Sequence, residues 1–393
     1  MKYLSEASKE LEGQKMFQIL EKAQELEKKG TNVIHLEIGD PDFDTPPNVV
    51  EAAIKSLRKG NTHYVKSSGM DALKEASIER SIKSRGFAPE KNQILVTAGA
   101  NVQIYYALSC LANPGDEVVT VDPCFVSYKS IIKFLGLKPV FVPLYEENDF
   151  KINPSDLKAA ITDKTRLILI NSPHNPTGSV LSENEIRKIY SIAEEEDLYL
   201  LSDEVYGRMV YEEDDGVSFF SPSSIDQCKE RSIVIHSLSK SYAMTGWRIG
   251  AVTAPSNVIE KMTLLLETTS SCVSPFIQEA AIEALSSSQE TISTMIHEFR
   301  LRRDLMVSLI NEIPVLSCVV PKGAFYVFVN IKNTKMTDIE FCEVLLSELG
   351  VAACPGSYFG DSGKGYVRFC FANSQQNIRE AMLRIKKHFA KRD

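Results

Sequence analysis

SIVIHSLSKSYAMTGWRIGAVTAP, residues 232–255, passes from one apolar run through a polar loop into another. The first run, Ser232 to His236, ends among small hydroxyl residues, Ser237 and Ser239, with Lys240 beside them. Arg248 closes the loop just before the second run. Most lysines are simply solvated. A lysine held in a partly desolvated pocket, however, becomes a usable amine nucleophile of the Schiff-base kind. Ser237, Ser239 and Arg248 would then hold a phosphate, the arginine through a planar fork matched to its oxygens.

Outward from this stretch, the same pattern repeats. QILVTAG (93–99), EVVTVD (117–122), RLILINSP (166–173) and LYLLSDEVY (198–206) are short apolar runs. Helical patterns stand between them: NVQIYYALSCLA (101–112), and SENEIRKIYSIAEEED (182–197), which a Ser182/Glu185 capping box opens. Apolar strands alternating with helices predict an α/β fold with a mostly parallel central sheet flanked by helices. An amphipathic helix is expected over residues 14–29, with Phe17, Ile19, Leu20, Ala23 and Leu26 near helical spacing. From about residue 255 a helical region leads to two antiparallel-looking strands, GAFYVFVNI (323–331) and GYVRFCFAN (365–373). These read as a smaller α+β domain. The expected division is a large domain over 46–285 and a small one over 286–393, joined by the N-terminal segment 1–45.

In such a sheet, polar ligands bind at the carboxyl ends of the strands, and the polar residues fall there. Gly99 permits a tight turn, after which the N–H groups at the helix N-terminus can face an anion. Asn171 and Asn175 follow another strand, and Asp203, Glu204 and Tyr206 a third. Alone, each is an ordinary turn, rigid loop or cap. A phosphate site, a carboxylate, an amide and a lysine at successive strand ends suit one small cofactor, pyridoxal 5′-phosphate. It brings a phosphate, a ring nitrogen that needs an acidic partner, a phenolic oxygen and an aldehyde.

Bulk properties narrow the class. The 393 residues carry a net charge of −8 without a basic block, which argues against nucleic acid and anionic membranes as partners. No apolar run is long enough to span a bilayer, and the charged N-terminus is unlike a secretory signal. Eight cysteines without a CxxC pair read as reduced thiols of a cytoplasmic protein. Six scattered histidines, with no HExxH, give no metal site.

Taken together and in order, IGDPDFDTP (38–46), HYVKSSG (63–69), NSPHNPTG (171–178), SDEVY (202–206), SLSKSYAMTGWRIG (237–250), PKGAFYVF (321–328) and VRFCFA (367–372) resemble the class I/II aminotransferase family, within the fold-type I pyridoxal-phosphate enzymes. The resemblance spans nearly the whole chain. It implies that Lys240 tethers the cofactor and moves the substrate proton. Asp203 would pair with the ring nitrogen, while Tyr206 and Asn175 would reach the phenolic oxygen. Phe125, in DPCFVSY (122–128), would stack on the ring. Ala100, Asn101, Ser237, Ser239 and Arg248 would bind the phosphate, and Tyr64 would do so across a homodimer interface. Arg368, with the Gly39 backbone, would clamp the substrate α-carboxylate. The side-chain wall would come from Gln14 to Ile19 and Asn101 to Tyr105.

A clamped carboxylate that exposes Cα–H to Lys240 suits transamination from an L-amino acid, aspartate-like or other, to a 2-oxo acid such as 2-oxoglutarate, by a ping-pong route. The same residues also serve β- and γ-eliminating lyases, which is the alternative reading. A cofactor-binding domain of a transcription regulator is a third class. The motifs begin near residue 36 and leave no room for the DNA-binding domain that such regulators place first. Cys124, beside Phe125, is either a reactive thiol or, as is usual, a small buried residue.

Overall fold

The structure, a computed structural model, describes residues 3–211 and 218–390. Its main sheet has seven strands in the order Ile94–Thr97, Gly250–Thr253, Ser232–Ser237, Tyr199–Asp203, Thr165–Asn171, Glu117–Asp122 and Lys138–Pro143. Gly250–Thr253 alone runs against the others. The central strands are buried almost throughout, as their unbroken apolar runs require in a sheet covered on both faces. Among the covering helices, Pro47–Arg58, Asp71–Arg85 and Pro275–Ser286 pack Val49, Leu73 and Ala280 together with Val96 and Ile249. Glu183–Glu195 starts at the expected capping box: Ser182 Oγ accepts from the Glu185 N–H, and Glu185 accepts from the Ser182 N–H.

A second sheet, antiparallel, runs Cys354–Pro355, Tyr366–Cys370, Tyr326–Asn330, Ser317–Cys318. Its core joins Phe325, Phe369, Phe299 and Phe341 with Met382 and Ile385 of the helix Gln375–Phe389. The N-terminal segment reaches both parts. Ile34–His35 pairs with Val351–Ala352 in parallel, while the helix Met16–Lys28 buries Met16, Ile19 and Ala23 in the main core. No helix among the described residues is long and apolar enough to cross a membrane.

Strand register positions the polar residues. Asn171 pairs with Asp203 and Asp203 with Ile235, so Asn171, Asp203 and Ser237 lie close together on one rim. Because Gly250–Thr253 runs backward, its first residue pairs with Ser237 on one side and with Thr97 on the other. The loop 238–249 therefore leaves and re-enters the sheet at the same rim.

Candidate active site

That rim opens into a cavity of about 310 Å³, a volume typical of small-molecule sites. Of the residues singled out in the sequence, Gly39, Ala100, Asn101, Phe125, Asn175, Asp203, Tyr206, Ser237, Ser239, Lys240, Arg248 and Arg368 all line it. Tyr64 does not; it is 86% exposed on the surface of the protomer. Gln14, Met16 and Phe17 also line the cavity, but Ile19 turns into the core instead.

One side of the cavity is built from backbone geometry. Gly99 caps the helix Ala100–Leu111 with φ +86°, and a Cβ there would lie 2.5 Å from Arg248 Nη2. The glycine thus allows the arginine to approach the helix N-terminus, where free N–H groups favour an anion. Arg248 Nη1 donates to the Thr245 carbonyl (2.9 Å). Ser237 Oγ donates to Ser239 Oγ (2.8 Å) and accepts from the Ser239 N–H (3.1 Å), which holds both hydroxyls at the cavity wall.

Asp203, 4% exposed, ends its strand inside the cavity. The Tyr128 hydroxyl donates to one carboxylate oxygen (2.6 Å) and the Val205 N–H to the other (3.2 Å). Burial pushes the Asp203 carboxyl up to about 6, although both donors pull it down. No cation meets it among the described residues. Burial likewise lowers the Lys240 ammonium to about 8, against the pull of Asp40. Its Nζ donates to the Gly39 carbonyl (2.5 Å).

Arg368 is 1% exposed on the central strand of the small sheet, opposite Phe328 and Cys354. It donates to Asn175 Oδ1 (3.0 Å) and to the Glu37 carbonyl, and lies over the rings of Tyr326 (4.4 Å) and Phe359 (4.8 Å). Its Nε is buried without a partner. A guanidinium with neutral neighbours and a free donor is prepared for an anion. Tyr206 shares a hydrogen bond with Tyr326 (2.8 Å between hydroxyls). Asn171 anchors the rim by accepting from the Asn175 N–H (2.9 Å) and donating to the Asp203 carbonyl (2.9 Å).

Two of these residues escaped sequence reasoning. Tyr128 is three residues beyond Phe125 on the helix Val126–Phe134, but only the fold reveals that it meets Asp203. Tyr326 sits within the quoted PKGAFYVF motif without a role assigned there. A Cβ on Gly39 would collide with its hydroxyl at 1.8 Å, so this glycine admits the ring. Cys124 is 3% exposed, and burial raises its thiol pKa, so it packs rather than reacts.

The donor set fits pyridoxal 5′-phosphate: an uncompensated carboxylate for a pyridinium nitrogen, an amine for an aldehyde, and a glycine-lined cradle for a phosphate. A lysine, a carboxylate and an anion cradle at the strand ends of this sheet define a fold-type I pyridoxal-phosphate enzyme. The pattern of the family described as aminotransferase class I and II matches residues 31–385. The chain is 44% identical to an aspartate aminotransferase of Pyrococcus abyssi over 91% of each chain. It is 43% identical to aromatic-amino-acid aminotransferase 2 of Thermococcus litoralis over 90% of this chain and 91% of that one. The solved aspartate aminotransferase of Thermus thermophilus with maleate superposes with a TM-score of 0.94 at 32% identity, covering 98% of this chain and all of the other. The chain belongs to the class I and II aminotransferase family, and it is a pyridoxal-phosphate-dependent aminotransferase.

The lowered lysine makes a kinetic prediction. In cofactor-free protein the neutral, reactive amine of Lys240 accumulates as pH rises through about 8. The rate at which added cofactor generates its yellow band should rise about fivefold from pH 7 to 8 and level off above 9. A rate still climbing about eightfold between pH 9 and 10 would mean an ordinary, solvated lysine.

Proposed function

We propose that the enzyme transfers the amino group of an L-amino acid, aspartate-like or aromatic, to a 2-oxo acid such as 2-oxoglutarate in two successive half-reactions. The observation that carries this reading is Arg368, a buried guanidinium on the cavity wall with an unpartnered Nε. It binds the substrate α-carboxylate, with the Gly39 backbone beside it, and so fixes which bond at Cα faces Lys240. Lys240 Nζ then takes and returns the Cα proton. Bound pyridoxal phosphate supplies an electron sink for the charge that develops at Cα. Asp203 keeps the ring nitrogen protonated, Tyr128 holds Asp203 in place, and Tyr206 and Asn175 serve the phenolic oxygen. Phe125 covers the ring, while Ser237, Ser239, Arg248 and the N–H groups of Ala100 and Asn101 hold the phosphate.

The side-chain wall is made of Gln14, Met16, Phe17, Ile38 and Asn101, which are amide and apolar. Lys240, Arg248 and Arg368 are the only cationic residues on the cavity lining among the described residues. A donor's second carboxylate would rest on the amides of Gln14 and Asn101, and an aromatic ring on Phe17 and Ile38. The names of the Pyrococcus abyssi and Thermococcus litoralis relatives cover both kinds of donor. A homodimer accounts for Tyr64, whose exposed ring would reach the partner subunit's phosphate site. Residues 1–45 and 286–393 would form the small domain against 46–285. A cytoplasmic location suits eight cysteines that are all unpaired.

Three measurements test the reading. Aspartate or an aromatic amino acid, added without any oxo acid, should convert the yellow band to the pyridoxamine form, and 2-oxoglutarate should restore it. A band that persists while ammonia and pyruvate accumulate from a β-substituted amino acid would establish the lyase instead. Asp203→Asn should retain cofactor yet lose turnover by orders of magnitude; near-normal turnover would refute its pairing with the ring nitrogen. Light scattering at assay concentration should give a dimer, and a fully active monomer would contradict the shared site.

A further inference from the structure

A second cavity, of about 80 Å³, is lined by Arg80 and Arg85 on the helix Asp71–Arg85, by Arg208, and by His236 on the strand that leads to Lys240. Ser237 lies on the walls of both cavities, so little more than a strand separates them. Among the described residues the charges here do not balance. Arg85 pairs with the buried Glu204 (2.6 Å) and donates to Ser84 Oγ (3.1 Å). The same carboxylate is also occupied by the Ser221 hydroxyl (2.6 Å). Arg208 has only neutral partners among the described residues: the Tyr242 hydroxyl and Gln289 Oε1, both at 2.6 Å, with its guanidinium 5.1 Å from the centre of the Tyr242 ring. Arg80 lines the cavity without any ion pair among the described residues. Three guanidiniums therefore line the cavity, and the one carboxylate that pairs with any of them among the described residues, Glu204 on Arg85, is already in use.

Two further observations indicate what the excess charge awaits. The Arg85 side chain is only 7% exposed, yet its Nε is buried without a partner. Burial, together with the positive field of Arg85, Arg208 and Arg80, holds His236 neutral, so it adds no charge and leaves its ring free to hydrogen-bond. Buried like charges without counter-charge are costly, and an oxyanion with several acceptor atoms relieves both the repulsion and the unmade hydrogen bond. One water needs roughly 10–15 Å³ of such space, so the cavity has room for one small tetrahedral anion. Ser84, exposed on the rim, marks an opening to solvent.

We propose that the cavity ringed by Arg80, Arg85 and Arg208 is a binding site for a small divalent oxyanion of the phosphate or sulfate type, separate from the cofactor's own phosphate cradle. The test uses the holoenzyme, in which the cofactor fills that cradle, at an ionic strength held constant with chloride. Isothermal titration with inorganic phosphate, and separately with sulfate, should give one saturable site per chain. The tighter of the two identifies the preferred anion. Arg80→Gln and Arg208→Gln should each weaken binding about tenfold, the loss expected of one charge-assisted hydrogen bond. Arg368→Gln, which removes the substrate clamp, should leave it unchanged. Retention of the yellow band reports that each variant is folded; if Arg208→Gln is not, Arg80→Gln, at a partly buried position, decides. Absence of a saturable site for either anion, equal affinity in the parent and the folded cavity variants, or loss of binding in Arg368→Gln alone would each overturn the proposal.

Discussion

The pairing of Gly250 between Ser237 and Thr97 organises the whole rim. A parallel crossover would have carried the chain after Ser237 to the opposite edge of the sheet before the next strand began. One antiparallel strand instead returns it to the edge it left. Lys240 and Arg248, at the two ends of one loop, therefore face one cavity, and Thr97 brings Gly99 and the helix N-terminus beside them. Close packing enforces the arrangement: a Cβ on Gly250 would stand 2.3 Å from the His236 carbonyl oxygen. No larger residue could hold this position without moving the strand and, with it, the phosphate cradle.

Electrostatic incompleteness is the second organising feature. Asp203, Lys240 and Arg368 are ionisable groups drawn out of water, and none forms an ion pair among the described residues. The cost is visible in Asp203 raised to about 6 and Lys240 lowered to about 8. Arg302, by contrast, is matched: it donates to both Asp42 (2.6 Å) and Glu298 (2.9 Å). The contrast within one chain separates groups that stabilise the fold from groups reserved for a ligand.

Much of this was legible in the sequence because the chemistry sits in short local segments. A polar residue at the border of an apolar run reports a strand end: Asn175, Asp203 and Lys240 come at or after such a run, and Arg248 just before one. The capping box at Ser182 was legible for the same reason, since both partners lie within one turn. The Tyr128–Asp203 bond was not, because it joins residues 75 positions apart and an aromatic near helical spacing reads as core. The arginine-lined cavity was hidden more deeply. Arg80, Arg85 and Arg208 come from a helix and a distant loop, and each alone looks like a solvated side chain.

Asp203 and Glu204, adjacent in sequence, show how finely the backbone divides these roles. Successive residues of an extended strand point to opposite faces. Asp203 accordingly enters the cavity, where no cation pairs with it among the described residues, while Glu204 turns the other way to Arg85 and Ser221. Residue type does not distinguish them, for both are buried carboxylates. Their neighbours across the sheet do: the face that packs against the helix Asp71–Arg85 supplies a guanidinium, and the face beneath Tyr128 supplies only a hydroxyl. A slip of one residue would bring Glu204 into the cavity in place of Asp203 and leave Arg85 facing Val205, without its carboxylate. The ladder that pairs Asp203 with Asn171 and Ile235 prevents this, so the register of a buried strand sets the charge of two sites at once.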